Sequence, residues 1–101
     1  VLVAPVYWYS FPAVLKAVMD HWSGWIRVPG VPFKAEITGT ASPEVYTSGN
    51  REKAQPMIDS ARLCAEFFEA RWAGALWGKG GPPRAVEADA QAVEAARTFL
   101  A

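Results

Sequence analysis

Three consecutive aromatics, Tyr7-Trp8-Tyr9, stand between an apolar run and a helical pattern, flanked by Pro5, Val6 and Ser10. Flat side chains at the end of a strand, beside the unpaired backbone N–H groups of a helix start, can grip a planar heteroaromatic ring. On spacing alone, packing into a core is the simpler account of such aromatics. A second polar group, Thr38-Gly39-Thr40, offers hydroxyls for ring edges and a glycine that allows close backbone approach. An ordinary turn accounts for it equally well. Tyr46, Ser48 and Asn50 can reach the same crevice, although nothing in their spacing requires it.

The remaining reactive residues point to no reaction. His21 lies at a helix end with no cysteine or second histidine at metal-ligand spacing, and Cys64 sits on an apolar stripe as packing. Gly78-Lys79-Gly80-Gly81 lacks the spacing and the Ser/Thr of a phosphate loop. Arg51 and Lys53 are read as solvated charges. The expected catalytic and metal-ligand sets are therefore empty.

The elements that must position the aromatics follow from periodicity. Residues 1–7 do not alternate and predict a strand buried on both faces. Ser10 is expected to cap the next helix, with Pro12 in its first turn. Val14, Leu15, Val18, Met19 and Trp22 make its apolar stripe, Lys16 and Asp20 a surface pair, and Ser23-Gly24 its end. Residues 25–32 read as a connector. Residues 33–38 alternate, with Phe33, Ala35 and Ile37 on one side, and predict a second strand, followed by a Gly/Ser/Thr-rich loop over 38–50. A second helix is expected from near 52–56 to about 72, on Met57, Ala61, Cys64, Phe68 and Trp72. A short strand over 75–77, a flexible loop over 78–83 and a last helix over 86–100 complete a β-α-β-α-β-α order with parallel neighbours.

Bulk properties set the class. At 101 residues the chain supports one core, so one domain over 1–101 is expected. Ten basic and ten acidic residues cancel, which gives no field to draw nucleic acid or a membrane surface. The single cysteine argues against a disulfide-stabilised secreted domain, and no apolar run approaches the ~20 residues of a bilayer span. The apolar start lacks a basic leader and is cut by Pro5, so no signal peptide and a cytoplasmic setting are expected.

The run Ala4-Pro5-Val6-Tyr7-Trp8-Tyr9-Ser10-Phe11-Pro12-Ala13-Val14-Leu15-Lys16 resembles the third strand, loop and helix of flavodoxin-like NAD(P)H-dependent FMN and quinone reductases. The resemblance implies an α/β fold, a partial flavodoxin-like doubly wound parallel sheet whose first two strands and phosphate loop do not precede Val1. It implies FMN as cofactor, NAD(P)H as electron donor and a quinone, flavin or similar small-molecule acceptor. Pro5, Val6, Tyr7, Trp8, Tyr9 and Ser10 would contact the flavin, with Thr38, Gly39 and Thr40 as a second set. Ser42-Pro43 stands where many relatives carry a pair of glycines. With no strand before it, residues 1–7 would leave an apolar edge that recruits another chain, so a homo-oligomer is expected. The competing expectations are a non-catalytic remnant or interaction module unable to hold FMN, and a response-regulator-like or small hydrolase domain. The last has neither an acidic cluster nor a nucleophile elbow behind it.

Overall fold

The computed structural model describes residues 1–101. Three parallel strands form one sheet in the order β1-β2-β3: β1 (Leu2–Pro5), β2 (Ala41–Ser48) and β3 (Arg71–Lys79). Register runs Leu2 opposite Glu44 to Pro5 opposite Thr47, and Ala41 opposite Arg71 to Ser48 opposite Lys79. Helices α1 (Ala13–Trp25) and α3 (Gln55–Phe67) make the two crossovers. Tyr46 and Met57 join Phe11, Met19, Ala54 and Ala61 in the core, against partly buried Leu15, Trp22, Ala75 and Trp77. Helix α4 (Ala90–Phe99) returns over the other sheet face, where Ala92, Val93 and Ala96 meet Val45, Leu76 and Gly78. The architecture is the expected partial flavodoxin-like α/β sheet.

Two segments depart from expectation. Residues 33–37 form a short helix, α2 (Phe33–Ile37), not a strand. Phe33 and Ile37 lie four apart, so they share a helical face as readily as a strand face, and five residues cannot separate the two periods. The strand lies instead at Ala41–Ser48, inside the expected loop. Pro43 hides it, because a proline inside a central strand removes a ladder donor. A bulge accommodates it: Ser42 pairs Trp72 while Glu44 pairs Ala75, so Ala73 and Gly74 together face Pro43. Gly74 takes φ +91° there, a conformation that glycine adopts freely. It sits within β3, which starts at Arg71 and runs to Lys79 rather than covering only 75–77.

Smaller corrections concern helix ends. Helix α3 stops at Phe67 rather than 72, since Glu69 turns left-handed at φ 54° and sends Trp72 into β3. The last helix is broken after a 3-10 turn, Ala85–Ala88, and restarts behind Asp89. The Asp89 carboxylate accepts from the Ala92 amide at 3.0 Å and the Lys79 amide at 3.0 Å, and these bonds hold it below the usual carboxylate range. One residue thus caps α4 and ties it to the end of β3. Ser10 caps nothing; Pro12 precedes α1, which has no side-chain cap. The α1 stripe divides: Leu15, Met19 and Trp22 pack inward, whereas Val14 and Val18 are exposed. Lys16 and Asp20 form the expected surface pair. His21 lies within α1, its Nδ1 2.7 Å from the Ala17 carbonyl, and burial pushes the Cys64 thiol up, consistent with packing.

Glu44 is the one buried charged residue, 4% exposed on the central strand. Burial raises its carboxyl from 4.5 to about 7, against an opposing hydrogen bond from Ser42 and the charge of the Val1 amine. The fold therefore favours the protonated form: the penalty is absent below the ordinary carboxylate range and complete above about pH 7. Glu44→Gln is expected to stabilise the chain by on the order of 1–3 kcal/mol at high pH. Urea melts across the pH range should show that gain vanishing towards acid. A gain independent of pH would assign it to something other than the carboxyl.

Strand β1 covers only Leu2–Pro5 and is not buried on both faces as expected: Val3 is 70% exposed and Val1 beside it 68%, because no further strand or helix covers that side. An edge of this kind templates pairing between chains. Val3→Lys is expected to reduce self-association in light scattering, and a native chain that stays monomeric throughout would remove the premise.

Candidate functional site

Because the strands are parallel, their C-terminal ends gather on one side of the sheet. The chain leaves β1 through a two-residue reversal: the Tyr7 amide donates to the Ser10 carbonyl and the Ser10 amide to the Tyr7 carbonyl, both at 3.0 Å. Trp8 and Tyr9 fill the central positions at φ 48° and 66°. Two positive φ values define the hairpin turn that Asn-Gly normally occupies, and left-handed aromatics cost roughly 1–2 kcal/mol each. Anchors on both sides hold the turn in place. The Val6 amide donates to the Thr47 carbonyl at 2.8 Å, and Phe11 is buried in the core. The tip itself points outward, with Trp8 91% exposed and Tyr7 and Tyr9 more than half exposed. These aromatics are not core packing.

The chain leaves β2 through Ser48-Gly49-Asn50. The Trp77 indole donates to Ser48 Oγ at 2.8 Å, Ser48 Oγ donates to the Asn50 carbonyl at 2.8 Å, and Asn50 Oδ1 accepts from the Lys53 amide at 3.2 Å. This loop faces the aromatic turn across a groove of about 320 Å³ lined by Val6, Trp8, Tyr9, Gly49, Asn50 and Lys53, with Ser48 at its base. The amides of Trp8, Tyr9, Gly49 and Asn50 donate to no group of the chain. A groove with exposed ring faces and free donors suits a flat molecule that is polar along its edge.

Pro5, Val6, Tyr7, Trp8, Tyr9 and Ser10 are thus brought to one place. Thr38, Gly39 and Thr40 are not: they precede β2 and lie at the opposite end of the sheet, about 25 Å away along eight residues of strand. Their groups are engaged there. Thr38 Oγ1 donates to the Lys34 and Phe68 carbonyls, Thr40 Oγ1 to the Ile37 carbonyl, and the Gly39 amide to the Glu69 carbonyl. The loop that does meet the aromatics is Ser48–Asn50. Lys53 and Gly49 had no signal of their own in the sequence; locating the end of β2 at Ser48 would have found both. No cluster of three or more His, Cys, Asp or Glu side chains is placed to hold a metal.

Sheet order, crossovers and groove define the class: a partial flavodoxin-like α/β unit. A solved structure of the Trp repressor binding protein from Bacillus subtilis superposes on 99% of the chain with a TM-score of 0.91 and 28% identity, covering 62% of that protein. A second relative, from Bacillus subtilis (strain 168), is provisionally named the NAD(P)H-dependent FMN-containing oxidoreductase YwqN. It is 27% identical over 103 residues, 99% of this chain and 57% of the relative. The chain therefore spans about three-fifths of the length of the proteins it matches. No protein-family model matches it.

If the turn is strained, Asn-Gly should relieve it. The Trp8→Asn/Tyr9→Gly variant is expected to gain about 1–3 kcal/mol of unfolding free energy in denaturant melts. A loss of stability would mean that the two rings hold the turn together instead.

Proposed function

We propose that the chain forms the ring-binding side of an FMN-dependent oxidoreductase that takes electrons from NAD(P)H. The observation that carries this reading is the strained, outward-facing Tyr7-Trp8-Tyr9 turn opposite Ser48–Asn50, in a chain similar to an FMN-containing oxidoreductase. The residues fit such a group. Trp8 and Tyr9 offer flat faces, and the free amides of Trp8, Tyr9, Gly49 and Asn50 match a ring with acceptor atoms along one edge. When bound, FMN would supply the redox chemistry, with NAD(P)H as the electron donor and a small molecule such as a quinone or free flavin as the acceptor.

The chain's own part is to bind and orient. The anchored turn fixes the ring plane, the amides select its polar edge, and Val6 and the Trp8 ring exclude water from one face. Lys53 is the charged residue of the groove, and it stands beside the free amides of Gly49 and Asn50. No helix is long and apolar enough to cross a membrane. The exposed β1 edge favours action as part of a larger assembly, through a second copy or further polypeptide.

Titration with FMN tests the reading. Binding should quench flavin and tryptophan fluorescence, and Trp8→Ala should weaken it by roughly 1 kcal/mol, about fivefold. A chain that leaves the flavin spectrum unchanged at high concentration would favour a non-catalytic flavodoxin-like remnant or interaction module.

A further inference from the structure

At the other end of the sheet from the aromatic turn, the space between β1, β2, α1 and α3 holds a cavity of about 200 Å³. Leu2, Trp22, Ala61, Cys64 and Phe68 line it, and so does Glu44. An apolar cavity of roughly 150 Å³ is enough to take up benzene, so this one has room for a single ring and a short polar arm. Its other side chains are apolar except for Ser42 and Thr40, no lysine or arginine contributes to it, and Val1, whose amine charge acts on Glu44, also lines it. Glu44 is 96% buried by complement of its 4% exposure, and has one hydrogen bond, from Ser42 Oγ at 3.1 Å, and no ion pair. An ionised carboxylate has about four acceptor sites, so most of its capacity is unused.

We propose that this cavity is a second small-molecule site, distinct from the aromatic groove, that takes a small aryl or alkyl ammonium with its cation on Glu44. Two features favour a cation over a neutral or anionic guest. The one charged side chain on the wall is acidic. The Trp22 and Phe68 rings, edge to face at 5.5 Å, line the same space, and aromatic faces attract cations. The inference does not depend on flavin binding, since the cavity and the aromatic groove share no residue.

Benzylamine and benzyl alcohol, which share a ring and differ in charge, are the probes. In amide and indole NMR spectra of the labelled chain at about pH 8, benzylamine is expected to shift Trp22, Leu2 and Ala61 saturably, at least about tenfold more tightly than benzyl alcohol. Glu44→Gln should reduce the two probes to equal affinity. Ala61→Leu, which fills the cavity, should abolish the benzylamine shifts while circular dichroism stays native. Should Glu44→Gln fail to fold, the ratio of the two probes on the native chain decides together with Ala61→Leu. Equal affinities on the native chain, an unchanged benzylamine affinity in folded Glu44→Gln, or shifts confined to Trp8 and Gly49 would each overturn the proposal.

Discussion

The parallel ladder of β2 with both its neighbours is the constraint from which the rest of the molecule follows. A parallel pair cannot be closed by a hairpin, so each return must cross the sheet through a helix. Right-handed crossovers in the order β1-β2-β3 place α1 and α3 on the same face. That leaves the other face to α4, whose Ala92 and the preceding Val86 lie against Gly78 of β3. A Cβ at Gly78 would come within 2.6 Å of Val86, so the close approach of the 3-10 turn to β3 requires a glycine there. The same ladder gathers the exits of β1 and β2 at one edge, and this alone brings Tyr7–Tyr9 and Ser48–Asn50 together.

Legibility in the sequence divided along the lines of local against non-local cause. Helix α1 and the body of α3 were readable, because their apolar patterns are long enough to fix a period, and the place of β1 was readable from an unbroken apolar run that ends at a proline. Helix α2 was not, since five residues with apolar positions two and four apart satisfy both periods. Strand β2 was obscured by Pro43, whose missing N–H is tolerated only because β3 contributes an extra residue opposite it. No local rule announces a bulge that lies thirty residues further along the chain. The end of α3 was equally silent, because Glu69 adopts a left-handed conformation without being glycine or asparagine.

The candidate site shows the same division. The aromatic turn was found from its residues, yet its conformation was not foreseen: Trp-Tyr is a poor sequence for a reversal with two positive φ values. Mislocating β2 by one element then moved the expected second loop from the C-terminal to the N-terminal end of the sheet. In a parallel α/β sheet this is the most consequential kind of error, because only one end of the strands forms the crevice. Ser48 and Asn50 were within view as candidates, but without the strand boundary nothing ranked them above Thr38 and Thr40.

Backbone and hydroxyl donors at the two ends of the sheet are used differently. At the N-terminal end, Thr38, Gly39 and Thr40 direct their donors to carbonyls of α2 and of the α3–β3 junction, stitching together segments that the chain must hold in any case. At the C-terminal end, Ser48 and Asn50 brace their own loop, while the amides of Trp8, Tyr9, Gly49 and Asn50 stay free beside exposed rings. A fold gains nothing in stability from a left-handed Trp-Tyr tip and loses roughly 1–2 kcal/mol at each residue. Under the proposed function, a conformation that opposes stability, held by anchors at Thr47 and Phe11 with its donors and ring faces turned outward, is accounted for by what it presents to a ligand.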